Sequence, residues 1–458
     1  MEVNNEFLNK YNVSGPRYTS YPPANFFNTG FAVADYEVQI KASNHQTPEN
    51  ISLYVHIPFC PQRCHFCGCT TVIAQKKSIV ERYIDAVKLE IKNVSSLLDL
   101  NRKVTQIHWG GGTPNSISMN FIREIMDTIK ETFILDINAE IAMECSPAYL
   151  EFSHIDQLAE MGFNRMSIGI QDFREDVLKA VNRAPSKHPV KELIDYLRIK
   201  GFHGINLDFI YGLPLQTVES FAETLQQAIE IRPDRIVTFS YAHVPWVKEA
   251  QKQLEKYGLP SAEEKMSMLI NTMNQMEKSG YVSIGIDHFA LPDDELAKAF
   301  KNKKLHRNFQ GYCTLETTGQ VYGFGASSIS QLWGAYAQNI KDFVPYTKAI
   351  EETGFAIERG YALNRDEQIV RAVINSIMCN GLLVFKEVAD QFEITVEELK
   401  QVVQMDPAKF VDFILDDLMY LDNKQIKIHD NGLLFARNIA MALDPALNKG
   451  ENIYSKTV

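Results

Sequence analysis

The 458-residue sequence has no apolar run long enough to cross a bilayer: stretches such as "YVHIPF" and "INSIM" fall far short of the roughly 20 residues a membrane helix needs. Its start, "MEVNNEFLNK", lacks the charged-then-apolar pattern of a signal peptide, so the expectation is a cytoplasmic protein with no membrane insertion. Positive charge is in deficit, with 46 Lys+Arg against 57 Asp+Glu and a formal net charge of −11. That balance disfavours unspecific attraction to nucleic acid or anionic lipid, and no nucleic-acid partner is expected. Cysteine is scarce and odd in number, seven in all, with Cys145, Cys313 and Cys379 scattered in apolar stretches. A secreted disulfide framework is therefore excluded in favour of reduced thiols. Internal repeats and low-complexity tracts are also missing. At 45% hydrophobic and 22% charged residues the chain reads as globular, and its length predicts one large domain with a smaller one beside it.

Against that scarcity, "CPQRCHFCGC" packs four thiols into residues 60–69. Cys60, Cys64 and Cys67 have the spacing C-x3-C-x2-C. A zinc site normally takes two separated ligand pairs, and no second C-x2-C or His pair follows. Three close thiolates suit a [4Fe–4S] cube with one iron left open; a structural zinc or a chance cluster are the alternatives at this point.

Six β-branched runs, "ISLYVHI", "VTQIHWGGG", "AEIAMEC", "RMSIGIQ", "GINLDFIYG" and "RIVTFSYAHV", are each followed by a turn signal and a helical pattern, with helices expected near 78–98, 116–132 and 217–231. Strand-then-helix units at even spacing predict an α/β fold whose parallel sheet curls into a partial barrel, with function at the C-terminal strand ends. Cys60, the glycine run and Glu144 fall there. Residues 1–48, containing "SGPRYTSYPPANFF", are expected to form an arm wrapping a catalytic domain at 49–360. From 361 to 458 short amphipathic helices and one strand, "QIKIHD", predict a mostly helical, winged-helix-like domain. An iron–sulfur regulator that binds DNA through that domain is a competing reading, but "KFVDFILDDL" is acidic where a recognition helix is basic.

The cysteine spacing after a first strand, with Phe66 beside Cys67 and "HWGGGTP" at the end of the second strand, resembles the radical S-adenosylmethionine (SAM) superfamily and its partial (β/α)6 barrel. Over nearly the whole chain, "SGPRYTSYP", "CHFCGC", "SIGIQDF", "VNR", "NLDFIYGLP", "YAHVP", "DHFALPDDEL" and "HRNFQGY" resemble the oxygen-independent coproporphyrinogen III oxidase family. The resemblance implies anaerobic decarboxylation of two propionates of coproporphyrinogen III to vinyl groups, through a 5′-deoxyadenosyl radical, on a monomer fed by a low-potential donor such as flavodoxin or ferredoxin. It implies a [4Fe–4S] cluster on Cys60, Cys64 and Cys67 and two SAM molecules. Tyr54, Gly111, Glu144 and Ile329 match the contacts of the first, and Phe66, Gly112, Thr113, Gln171, Arg183, Asp208 and Ala242 those of the second. Arg183 is expected to fork onto a methionine carboxylate.

Cys69 is surplus to a three-thiol site, and Gly68 before it is expected to let the loop turn so that Cys69 points away from the cluster and serves turnover. An anionic tetrapyrrole in an acidic protein needs local cations, for which Arg17, His306 and Arg307 are candidates. Tyr18, Tyr21 and Tyr312 offer flat contact area. Within the superfamily the alternative is a haem chaperone, whose members typically lack the second cysteine of "CGC" and the "GPRYTSYP" arm.

Overall fold

The structure is a computed structural model that describes residues 10–73, 76–285, 287–314 and 320–447. All six expected strands form: β1 (Ile51–Ile57), β2 (Lys103–Gly111), β3 (Ile134–Cys145), β4 (Arg165–Gln171), β5 (Ile205–Tyr211) and β6 (Arg235–Ser240). They pair in chain order, each parallel to the next. The three expected helices are observed at Lys77–Ser95, Met119–Thr132 and Val218–Ile231. Local chemistry sets their ends: Ser118 caps the second through the Asn120 N–H, and Thr217 and Ser220 form a capping box at the third.

Strand alternation decides what the barrel is made of. One face of each strand is apolar: Leu53, Val55 and Ile57 on β1, Ile107 and Trp109 on β2, Leu207 and Phe209 on β5. All are at most 1% exposed and share one core with helix residues such as Tyr83, Ile125 and Leu197. The other face carries Tyr54 and His56, Gln106 and His108, Glu140 and Glu144, Ser167, and Asn206 with Asp208. These polar residues meet across the strands, as in Gln106–Glu140 at 2.8 Å and His108–Glu144 at 3.0 Å. The barrel is thus apolar outside, beneath its helices, and polar within.

The sheet runs further than six strands. A seventh parallel strand, β7 (Val321–Phe324), pairs with β1 on its free side, and Ile329–Gln331, Ala335–Asn339 and Ile357–Ala362 continue from it antiparallel. At the other edge His288–Ala290 and Val282–Ile284 add antiparallel to β6. Among the described residues this makes a twelve-stranded sheet. These added strands have three to six residues, too few for alternation to stand out in sequence.

In the last hundred residues helices Arg365–Asn380, Phe385–Gln391 and Val396–Val402 accompany the expected strand Gln425–Ile428. Two three-residue partners, Leu382–Val384 and Met419–Leu421, complete a small antiparallel sheet that the sequence did not reveal. The N-terminal segment, expected to wrap the barrel, also docks on this C-terminal part. Tyr18 and Tyr21 donate to the two oxygens of buried Asp444, each at 2.9 Å, and Arg437 donates to the carbonyls of Gly15 and Pro16. Both tyrosines are only 2% exposed, which removes them from direct contact with a ligand. The helix Val33–Ser43 then packs on the sheet, with Tyr36 against Ser330 and Ser43 against Tyr322. No helix among the described residues is long and apolar enough to cross a membrane.

Candidate active site

The cysteine loop leaves β1 at Ile57 and lies over the C-terminal ends of the strands. The glycine run anchors it: Gly112 N–H donates to Ile57 O and Thr113 N–H to Phe59 O, at 2.8 and 2.9 Å. A Cβ on Gly112 would lie 2.7 Å from Phe59 O, and one on Gly111, whose φ is +114°, would lie 2.8 Å from the His56 ring. Bare backbone is required at both positions. On the opposite side Asn182, in "VNR", donates to Arg63 O and accepts from Gln62 on its own carbonyl.

Cys60 is buried, and burial pushes its thiol up, partly offset by the Thr113 hydroxyl 3.3 Å away. Burial also raises Cys64, opposed by Arg183, whose Nη1 is 3.7 Å from the sulfur. Cys67 is held down to about 6, chiefly by the Cys69 thiol, with burial opposing. Cys69 is thus close enough to Cys67 for each thiol to act on the other's ionisation. Gly68 has open space where a Cβ would stand, so the steric reason expected for that glycine does not apply.

No three His, Cys, Asp or Glu side chains among the described residues stand close enough to share one metal ion. A cube takes one thiolate at each of three corners, so three soft sulfur donors on one loop match a [4Fe–4S] cluster better than a structural zinc, which takes four ligands.

Inside the barrel Tyr54 donates towards His56 Nδ1 at 3.0 Å and stacks on His108, whose Nε2 lies 3.0 Å from Glu144 Oε1. Burial pushes His56 down to about 4, so it is a neutral imidazole. Burial also favours a neutral Glu144, but His108 and the Gly111 N–H outweigh it and hold the carboxyl below its usual range. The Glu144 side chain stays 44% exposed, an ionised acceptor open to the cavity. A Cβ on Gly110 would touch it at 2.9 Å. Ile329 follows the turn after β7, where Ser327 Oγ lies 3.4 Å from His56 Nε2. Tyr54, Gly111 and Glu144 thus lie around His56, whereas Ile329 packs against the cluster of Phe27, Tyr336 and Leu363.

Of the second group, Gln171 lies beside Arg183, and Phe66 and Ala242 lie beside Gln251, while Gly112 and Thr113 hold the cysteine loop and Asp208 sits within β5. Arg183 donates to Gly169 O as well as facing Cys64, so part of its fork is already engaged. Gly169 is bare where Gln171 (φ +72°) and Arg183 both approach within 2.9 Å of a Cβ position. Gln251 ties Phe66 O to Ala242 O, both at 3.2 Å, and Lys248 reaches Cys69 O at 3.1 Å. Asp208 accepts from Ser167 and Asn206 at 2.6 and 2.7 Å.

The three cation candidates separate. His306 and Arg307 are neighbours on the strand Leu305–Asn308 and point to opposite faces. His306, pushed down to about 4 by burial, lines a cavity of about 460 Å³ shared with Thr47, Trp333 and Arg371 of the helix Arg365–Asn380. Arg307 instead stacks on Tyr312. Arg17 is exposed, and its charge is felt at Asp287, Tyr211 and Lys265. His56, His108, Asn182 and Gln251 were missed in the sequence. The first three lie inside quoted motifs, where alternation from Tyr54 points to His56, but the pairing of His108 with Glu144 crosses strands and leaves no local signal.

Residues 54–228 match the Radical SAM superfamily. The chain is 40% identical to the oxygen-independent coproporphyrinogen III oxidase of a Synechocystis species, covering 100% of this chain and 98% of the relative, and 41% identical to that of Escherichia coli, covering 96% and 95%. The solved structure of coproporphyrinogen III oxidase from Escherichia coli, described as a radical SAM enzyme, aligns with a TM-score of 0.90 at 38% identity over 98% of this chain and all of that one. With cysteine tripod, glycine cradle and polar barrel in agreement, the chain belongs to the oxygen-independent coproporphyrinogen III oxidases of the radical SAM superfamily.

Proposed function

We propose that this protein oxidatively decarboxylates two propionate side chains of coproporphyrinogen III to vinyl groups, giving protoporphyrinogen IX without oxygen. The observation that carries the reading is the juxtaposition of the cysteine tripod with an ionised, cavity-facing Glu144 at the strand ends of a polar barrel, in a chain that matches its relatives end to end. A [4Fe–4S] cluster with SAM supplies, when bound, one-electron chemistry and a hydrogen-atom abstractor.

Cys60, Cys64 and Cys67 hold the cluster. Glu144, steadied by His108, accepts from hydroxyl or ammonium donors of one SAM, beside Tyr54, Gly111 and Ile329. Phe66, Gly112, Thr113, Gln171, Arg183, Asp208 and Ala242 receive a second SAM. Arg183 gives its free donors to a carboxylate while its others stay on Gly169 O. Asp208 is pushed up by burial and is kept as an acceptor by its Ser167 and Asn206 hydrogen bonds. Each propionate loses one hydrogen atom, carbon dioxide and one further electron, so no proton has to be delivered to the new vinyl group. The polar barrel's task is to orient the chain's carbons and to exclude competing water. A low-potential flavodoxin or ferredoxin is the electron source we assign, and a cytoplasmic monomer the working form. Seven free thiols suit a reducing compartment.

Anaerobically reconstituted protein given SAM, reductant and coproporphyrinogen III is expected to release two carbon dioxide molecules per protoporphyrinogen IX. Stable haem binding with no vinyl product overturns the reading in favour of haem handling.

A further inference from the structure

Beside β6, at the mouth of the barrel, two charged groups have unused valences. Arg307 lays its guanidinium on the Tyr312 ring, 5.0 Å from Cζ to centroid. Among the described residues its side chain makes neither an ion pair nor a hydrogen bond, and Nε is buried with no partner. The residue is half-buried, and Asp287 acts on it only through space without forming an ion pair, so its donors remain available to an incoming anion. Tyr312 packs edge-on against His288, with centroids 5.0 Å apart, and His288 Nδ1 lies 2.7 Å from Asp287 Oδ1. The other Asp287 oxygen takes no hydrogen bond from the described residues. Burial favours a neutral Asp287, but His288, Arg307 and Arg17 outweigh it and keep the carboxyl below its usual range. His288 is also within electrostatic reach of Asp208, which ties the cluster to the barrel interior.

A guanidinium in no ion pair, beside a carboxylate with one oxygen open, is the complement of one kind of molecule: a tetrapyrrole with carboxylates on its rim and N–H donors at its centre. We propose that Arg307 and Asp287 form a dock for coproporphyrinogen III, Arg307 pairing with a rim propionate and Asp287 accepting from pyrrole N–H groups. The inference rests on the substrate proposed above. His288 is a positioning residue that turns Asp287, and Tyr312 supplies the flat wall between the two contacts. The dock carries no chemistry of its own; it sets which propionate reaches the cosubstrate.

The test uses reconstituted full-length protein carrying Arg307→Met, Arg307→Lys or Asp287→Asn, with KM and kcat measured separately for coproporphyrinogen III and for SAM. The KM for coproporphyrinogen III should rise about tenfold or more in Arg307→Met and in Asp287→Asn, with Arg307→Lys between Met and the native residue. The KM for SAM and the cluster's absorption should not move. Coproporphyrinogen KM values within about twofold of native in both Arg307→Met and Asp287→Asn overturn the dock, as does a rise in the SAM KM instead, which would make Arg307 a cosubstrate contact. A native enzyme that cleaves SAM yet forms no vinyl product removes the substrate reading itself, separately from any effect of the variants.

Discussion

Arg165, inside the barrel, and Arg307, on a separate two-stranded sheet beside it, have opposite surroundings. Arg165, at the start of β4 and 4% exposed, lies 2.5 Å from Glu140 and 2.9 Å from Glu295, and Arg235 is 2.9 Å from Asp294. A Cβ on Gly204 would lie 2.5 Å from its guanidinium. Arg307 forms no ion pair among the described residues, and Asp287 acts on it only through space. Glu140 and Glu144 repeat the contrast four residues apart on one strand: the lower carboxylate is enclosed by Arg165 and Gln106, whereas the upper one has His108 and the Gly111 N–H but no cationic side chain in an Arg or Lys ion pair, and remains open. At the strand starts protein charge cancels protein charge and plugs the barrel. At the strand ends charge is left over for groups that are not protein, which is how a barrel divides stability from chemistry.

The largest expected effect lies at the active end. Cys60→Ala, Cys64→Ala or Cys67→Ala should each abolish the brown cluster and all turnover, because a tripod missing one thiolate leaves two irons without protein ligands. Freshly prepared protein with stoichiometric zinc and no iron would contradict this. Cys69→Ser should keep the cluster's absorption and SAM binding yet lose most product. Full activity would leave Cys69 no role in turnover, and loss of the cluster would make it a ligand.

Stability should respond the other way round. Arg165→Met leaves the largely buried Glu140 without its nearest counter-charge and should cost about 3–5 kcal/mol by chemical denaturation. Arg307→Met removes a charge held in no ion pair and felt by Asp287 only through space, so its stability should stay within about 1 kcal/mol of native. Equal losses in the two variants would erase the distinction.

The pH dependence is smaller. His56 titrates at about 4 in the fold against 6.5 for the ordinary side chain. Between those values the unfolded chain binds the proton and the fold does not, so stability is lost as pH falls through this window, by up to about 3 kcal/mol at its lower end. His56→Gln should flatten the slope of stability between pH 6.5 and 4; an unchanged slope would assign the acid sensitivity to other groups.

What could be read along the chain was whatever depends on neighbours in sequence. The cysteine spacing, the "GGG" run and the six alternating strands are local patterns, and they carried the fold class and the cluster chemistry. The arm was harder. "GPRYTSYP" suggested ligand contacts by its tyrosines, but their hydroxyls are consumed by Asp444, more than 420 residues away. Short strands such as Leu382–Val384 were invisible because three residues make no pattern.

Sequence by itself determined that a thiolate tripod would stand at the end of a first barrel strand, since covalent spacing holds three sulfurs within one loop whatever surrounds them. Tertiary structure alone decided which charges are cancelled and which stay open. Arg183 meets Cys64 across 119 positions, Gln251 meets Phe66 across 185, and His306 and Arg307 part to opposite faces of one strand. Pairing a charge depends on distance in space and on the water removed around it, and neither is encoded in the order of residues until the sheet has curled and closed over its polar face.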